Sequence, residues 1–108
     1  MPKTDLVPGT LILLVLRVLQ SGPLHGYAIA QRISQLSSDV LRVEEGSLYP
    51  ALQKMLMKGW VQSEWGLSDN NRRAKYYELT AKGRKQLAIE TSKWEALARA
   101  IARVLKPA

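Results

Sequence analysis

The side chains that could carry out chemistry in this 108-residue chain are few. His25 is the only histidine, cysteine is absent, and Glu44 and Glu45 are the only adjacent pair of carboxylates. A general base or a nucleophile needs an oriented partner within hydrogen-bond reach, and the sequence suggests none for His25. Two acidic residues before a helix favour its N-terminus through the helix dipole, and no set of metal ligands accompanies them. We therefore interpret His25 as a structural residue near a helix start and predict a protein that is not an enzyme, with no metal or cofactor.

Positive charge is the second chemical feature. The chain has 16 Lys and Arg against 9 Asp and Glu, a formal net charge of +7 and a sequence pI of about 10.0. This balance favours a polyanionic partner. Segment 72–85 carries six of the basic residues, and Glu78 is its only acidic residue. A charge run is often no more than a solvated face, so its meaning depends on the elements that carry it.

Length and composition narrow the class of protein. The chain fits one domain and is long enough for a core without disulfides or metals. The absence of cysteine indicates a reducing compartment. The most apolar run, Leu11–Leu16, is far shorter than the roughly 18–20 residues of a membrane span, and signal-peptide features are missing. We expect a soluble, cytoplasmic protein without a membrane partner.

Apolar periodicity predicts four helices, at residues 8–20, 25–36, about 47–58 and 81 to about 106. The first is apolar around most of its circumference and should be buried, although a buried strand stays possible. For the third, Ser47 is the predicted N-cap and Gly59 the residue that ends the helix, and Thr80 is the predicted N-cap of the fourth. An earlier start of the third helix, which would leave Pro50 inside it, stays open.

The period changes to two in residues 60–65 and 73–79, which flank a stretch rich in turn formers and predict a hairpin with a basic tip. Helices followed by a basic hairpin indicate a mainly α fold with a small β-hairpin, in the order of a winged helix-turn-helix. In such a fold one helix enters the DNA major groove, and the hairpin neutralises flanking phosphates.

The last helix would be roughly 39 Å long, too long for its own small domain to cover. Its apolar residues recur seven apart, with Glu90 interrupting one row, and the simplest partner is a second copy of the chain. We therefore predict a DNA-binding domain at 1–80 and a dimerisation helix at 81–108, with helix 8–20 contributing to the interface. The predicted interface residues are Leu11, Val15, Leu87, Trp94, Leu97, Ile101 and Val104.

Three sequence blocks resemble the PadR-type transcriptional regulators. Residues 24–29 (LHGYAI) are similar to the opening of their second helix, and residues 45–52 (EGSLYPAL), running on to 58–61 (KGWV), to their recognition helix and its exit. Residues 72–80 (RRAKYYELT), followed by Gly83, resemble their wing strand and the start of their last helix. The blocks occur in family order over roughly residues 9–87, and the short tail matches the subfamily with a single C-terminal helix.

The resemblance implies a dimeric DNA-binding regulator, in most cases a repressor, often released from DNA by small aromatic or lipophilic molecules. It places Ser47 and Tyr49 at the DNA face, Tyr27 near the DNA backbone, and basic residues on the wing. Packing roles stay open for both tyrosines: Tyr49 as a half-buried anchor against the first helix, and Tyr27 in the core. The wing residues that carry over are Arg72, Arg73 and Lys75. The helical wheel adds Gln53 and Lys54 to the DNA face.

Trp94 is the candidate effector residue. In some single-helix members, tryptophans from the two last helices sandwich flat hydrophobic ligands, and aromatic faces bind planar lipophilic compounds by stacking. The alternative is a tryptophan buried in the dimer core without a cavity, which alternate alanines from 96 to 102 would favour by permitting close helix approach. For the whole protein, the alternative function is an architectural DNA-binding or interaction module without effector control.

Overall fold

The computed structural model describes residues 9–107 as four helices and a three-stranded sheet. In chain order the elements are α1 (Thr10–Leu19), β1 (Leu24–His25), α2 (Gly26–Leu36), α3 (Glu45–Met57), β2 (Val61–Leu67), β3 (Arg73–Leu79) and α4 (Ala81–Leu105). The predicted class, mainly α with a small β-hairpin, is confirmed. Residues 1–8, which include the predicted helix start at Pro8, and Ala108, the last residue of the predicted dimerisation helix, lie outside the described residues.

Helix α1 is the centre of the core, because it contacts α2, α3, β3 and α4. Its C-terminal half supplies four buried aliphatic side chains, whereas residues 11–14 are only partly buried. Each such side chain contributes roughly 1.5–3 kcal/mol when it is removed from water. The core consists of Val15, Leu16, Val18, Leu19, Ile29, Ile33, Leu48, Leu52, Met55, Val61, Tyr77, Leu79 and Leu87.

The sheet is antiparallel with the strand order β1-β3-β2. The predicted hairpin is present, with Val61 opposite Leu79 at its base and Leu67 opposite Arg73 near its tip. The two-residue strand β1 was not predicted. It pairs Leu24 with Tyr77. This pairing connects the start of α2 to β3, the central strand of the sheet.

Helix α3 begins earlier than predicted. The backbone N–H groups of Ser47 and Leu48 donate to the Glu44 carbonyl oxygen at 3.0 and 2.9 Å, so Glu44 occupies the N-cap position. The prediction of Ser47 as the N-cap is wrong: Ser47 already lies inside the first turn. Pro50 consequently lies inside the helix, where it has no N–H to donate to the carbonyl four residues earlier.

The end of α3 and the start of α4 are joined at Trp60. Its N–H donates to the Met55 carbonyl at 3.0 Å, and its carbonyl accepts from the Thr80 N–H at 3.1 Å. The Thr80 hydroxyl donates to the Gly59 carbonyl at 2.7 Å and accepts from the Gly83 N–H at 3.0 Å. The predicted N-cap of the last helix is therefore confirmed. This junction sets the direction in which α4 leaves the domain.

Helix α4 has 25 residues, which corresponds to about 38 Å of length. Only Gly83 and Leu87 of this helix are buried. The described chain is correspondingly elongated, with extents of 57 × 34 × 22 Å. Most of α4 therefore lies outside the core of the chain to which it belongs.

Candidate nucleic-acid interface

Helix α3 has one buried and one exposed face. Leu48, Leu52 and Met55, at i, i+4 and i+7, pack into the core. The side chains of Ser47, Gln53 and Lys54 are exposed, as predicted for a recognition helix. These three residues are not lining residues of the groove described next; they lie on the exposed surface of the helix.

A groove of about 740 Å³ separates the start of α2 from the wing, the β2–β3 hairpin. Five of the eight predicted DNA-binding residues line it: Tyr27, Tyr49, Arg72, Arg73 and Lys75. Asp69 is the only acidic side chain among the lining residues. The groove thus brings together tyrosine hydroxyls and basic groups, both of which bind phosphate oxygens in protein–DNA complexes.

Tyr49 is in close contact with the first residue of α2. A Cβ atom at Gly26 would lie 2.6 Å from the Tyr49 hydroxyl oxygen and 3.0 Å from a ring carbon, so only glycine permits this approach. The Tyr49 side chain remains 47% exposed. It therefore contacts α2 and stays exposed, whereas the alternative of a half-buried anchor placed it against the first helix.

Tyr27 and Tyr77 line the groove together with Tyr49. Burial, and to a lesser degree the neighbouring Tyr49, raises the pKa of the Tyr77 hydroxyl above 10.0. Tyr27 is 67% exposed, which is incompatible with the core position considered for it. Its ring lies beside the His25 ring, with centroids 6.5 Å apart. Tyr27 and Tyr49 consequently both offer their side chains to a ligand in the groove.

His25 has a structural role, as predicted. Its Nδ1 accepts from the Ala28 N–H at 3.2 Å, which makes it the N-cap of α2. Its ring also contacts Tyr76 edge-to-face at 5.3 Å. These contacts hold the start of α2 against the wing and fix one wall of the groove. Sequence reasoning located His25 near a helix start but did not identify it as the cap.

The two faces of the wing differ in charge. Because side chains alternate along a strand, Trp65, Arg73 and Lys75 share the face toward the groove. Glu64 and Glu78 share the opposite face. A phosphate backbone in the groove would meet the basic face and would be separated from both carboxylates by the sheet.

Trp65 is a groove residue that sequence reasoning missed. The Arg73 guanidinium carbon lies 4.7 Å from the centre of its ring. The alternation of residues 60–65 was visible in the sequence. The pairing of Trp65 with Lys75, which brings the ring beside Arg73, depends on the register of the hairpin.

The predicted dimer residues fall into three groups by burial. Val15 and Leu87 are 0% and 6% exposed within the single chain, so they belong to its own core. Leu11 is partly buried. Exposed apolar side chains continue along α4 at Trp94, Leu97, Ile101 and Val104.

Residues 9–107 contain neither a metal-binding cluster nor a membrane-spanning helix. This part of the chain holds no group of three or more Asp, Glu, His or Cys side chains placed to bind a metal ion. None of its helices combines the length and the apolar character that a bilayer crossing requires.

The fold and the groove define a winged helix-turn-helix protein. The model of the "Transcriptional regulator PadR-like family" matches residues 15–89. A transcriptional regulator from Clostridium thermocellum is similar in structure, with a TM-score of 0.85 and 25% identity over 95% of this chain and 100% of that one. A PadR family transcription regulator from Clostridium difficile R20291 has a TM-score of 0.76 and 28% identity over 91% and 100% of the two chains.

A similar sequence occurs in Lysinibacillus sphaericus, in a relative named "Uncharacterized protein X". It is 30% identical over 95 residues, which is 87% of this chain and 86% of the relative. The match of the family model covers well over half of the chain, and it includes α2, α3 and the wing. The chain belongs to the PadR-like family of transcriptional regulators, and the predicted resemblance is confirmed. Members of this family are regulators, not enzymes.

Proposed function

We propose that this protein is a homodimeric repressor that binds a specific DNA operator through the groove and the exposed face of α3. The observation that carries the proposal is the groove itself, which collects two exposed tyrosines and three basic side chains next to a helix with a polar outer face. A winged helix-turn-helix protein reads bases from such a helix and contacts phosphates from such a wing.

The predicted DNA-binding residues have two roles in this proposal. Ser47, Gln53 and Lys54 lie on the exposed side of α3 and would enter the major groove, where a glutamine side chain suits an adenine edge. The groove residues would hold the flanking backbone: Tyr27, Tyr49, Arg72, Arg73 and Lys75. The bases would thus be read by α3, and the register on the duplex would be set by α2 and the wing.

Dimerisation would occur along α4, because its apolar row has no partner within the described chain. Trp94, Leu97 and Ile101 are 43%, 47% and 46% exposed, which is unusual for a seven-spaced apolar row. A second copy would cover this row, and the partly exposed start of α1, with Leu11, would extend the interface. Two recognition helices could then contact half-sites about 34 Å apart.

In this proposal residues 1–80 bind DNA and residues 81–108 form the dimer, with helix 8–20 contributing to the dimer interface. The proposed partner, genomic DNA, implies a cytoplasmic protein. Repression would follow from occupation of an operator that overlaps the start site of a transcribed gene.

The experiment that tests DNA recognition is an in vitro selection. A random region of about 30 base pairs accommodates two half-sites one helical turn apart. The full-length protein should enrich a pseudo-palindromic sequence and bind it roughly 10³-fold or more tightly than random duplex at the same salt concentration. Equal affinity for both duplexes would instead support an architectural DNA-binding protein, the alternative that the basic wing also permits.

A planar lipophilic effector at Trp94 is a further part of the proposal, supported by the half-exposed ring on the proposed dimer face. Such a compound should quench tryptophan fluorescence and weaken operator binding, since an effector acts by preferring one of two dimer geometries. Trp60 and Trp65 also emit, so the control is Trp94→Phe. Quenching of the same size in that variant would place the ligand elsewhere.

A further inference from the structure

The wing has an exposed tryptophan on its basic face. Trp65 is 57% exposed, and it lies on β2 directly opposite Lys75 of β3. The nearer cation is nevertheless Arg73, whose guanidinium carbon is 4.7 Å from the ring centre. Lys75 lies instead over Tyr77, with its Nζ 5.9 Å from that ring. The two cations on this face therefore rest on different aromatic rings.

The backbone that carries this pair is well braced. At the tip, the Ser68 N–H donates to the Arg72 carbonyl at 2.8 Å, and the Asn71 N–H donates to the Ser68 carbonyl at 2.9 Å. On the opposite face, the Tyr76 hydroxyl donates to the Leu67 carbonyl at 2.9 Å. These hydrogen bonds hold the tip and the strands beside it without the Trp65 side chain, which leaves its exposed ring available for another role.

That role follows from the geometry of a stacked arginine. When a guanidinium lies over an aromatic face, its N–H donors point outward in the plane of the group and stay free for phosphate or base oxygens. A free arginine on a hairpin tip samples many rotamers and loses that freedom when it binds DNA. An arginine that already rests on a ring loses less. The ring therefore acts on affinity through the arginine, with no need to touch DNA.

We infer that Trp65 is a positioning residue for DNA binding, which stacks Arg73 in the orientation that contacts DNA from the wing. The inference rests on the proposed function, because it assumes that the groove binds DNA. Arg73 keeps its full charge when Trp65 is replaced. Removal of the ring should therefore lower affinity without changing the number of phosphates neutralised.

The test is a double-mutant cycle on DNA affinity, with the full-length protein and a duplex obtained by the selection described above. Trp65→Leu removes the ring and keeps an apolar side chain. It should weaken binding about three- to fivefold, which corresponds to roughly 0.7–1 kcal/mol. In an Arg73→Ala background, the same replacement should have almost no further effect, because the residue that it positions is gone.

Lys75→Ala is the matched background, since Lys75 shares the face of Trp65 but rests on another ring. In that background Trp65→Leu should keep its full effect. The dependence of affinity on salt separates the two roles: Arg73→Ala should reduce the salt slope by about 1, whereas Trp65→Leu should leave it unchanged. Trp65→Phe keeps an aromatic face and should retain most of the affinity. The thermal midpoints of the variants verify that the wing remains folded.

The inference is overturned if Trp65→Leu weakens binding equally with and without Arg73, since the ring would then contact DNA or support the wing directly. It is overturned as well if the replacement has no effect in the wild-type background. Both results leave the proposed function intact, provided that the wild-type protein prefers its selected duplex. If the wild-type protein has no such preference, the proposed function fails first, and this inference fails with it.

Discussion

Replacement of Gly83 by alanine tests the junction that directs α4 away from the DNA-binding domain. A Cβ atom at this position would overlap the Trp60 carbonyl oxygen and would lie 2.8 Å from a Leu79 methyl carbon. The obstacle is backbone, which cannot rotate away as a flexible side chain could. The first turn of α4 would have to move away from the start of β2. The hydrogen bond from the Thr80 N–H to the Trp60 carbonyl, 3.1 Å long, would lengthen as a result.

The expected change in stability combines two destabilising effects and one stabilising effect. Overpacking of a tight contact costs about 1–3 kcal/mol. Loss of the backbone hydrogen bond adds about 1 kcal/mol. Alanine is better than glycine in a helix and returns up to about 1 kcal/mol. We therefore expect Gly83→Ala to lower the free energy of unfolding by about 1–4 kcal/mol, a large part of the stability of a domain of this size.

The measurement is urea denaturation followed by far-ultraviolet circular dichroism at one fixed protein concentration, since a dimer gains stability with concentration. Gly46→Ala is the matched control, because Gly46 also lies in the first turn of a helix and a Cβ there meets open space. It should leave the midpoint unchanged or raise it slightly. Equal midpoints for the two variants would refute the close approach at Trp60.

Three other predictions concern the groove and the exposed face of α3. Lys75→Ala should weaken binding to every DNA sequence alike and reduce the dependence of affinity on salt by about one unit of slope, whereas Gln53→Ala should change the preferred sequence and leave that slope constant. Titrations on selected and random duplexes distinguish the two variants, and identical profiles would contradict the assigned roles. Gly26→Ala should displace Tyr49 and lower DNA affinity with little change in the urea midpoint, and unaltered affinity would mean that Tyr49 does not contact DNA. The raised pKa of Tyr77 means that the folded state holds this proton more tightly than the unfolded state. The resulting stabilisation is complete below about pH 10 and is lost as the pH rises through the folded-state pKa. Tyr77→Phe should lessen this alkaline loss of stability, and an equal loss in both proteins would contradict the assignment.

The elements predicted best are those whose signals are local. Thr80 caps α4, and Gly59 follows the last turn of α3, because capping and helix termination depend on residues within one turn of each other. The alternation of the wing strands likewise placed Arg73 and Lys75 on one face. These residues could be located without knowledge of what lies across from them.

The elements that were missed or misplaced depend on contacts between distant segments. Strand β1 has only two residues and exists because Leu24 pairs with Tyr77. Helix α3 starts at Glu45 with Glu44 at the N-cap position, although Ser47 is the stronger local capping residue. Val15, placed in the interface from its pattern, is fully buried in the core. Local propensity is a weak guide where tertiary packing competes with it.

The amino-acid sequence by itself determined the class of fold, the family, the basic character of the wing and the long apolar row on the last helix. Each of these depends on composition, on short motifs or on the period of a single element. Only the tertiary structure decided which residues meet: the Tyr49 ring and Gly26, the Trp65 ring and Arg73, and the Trp60 carbonyl and Gly83. Those contacts join residues from different elements, and their geometry is set by how the elements pack and by the register of the hairpin, which no single segment encodes.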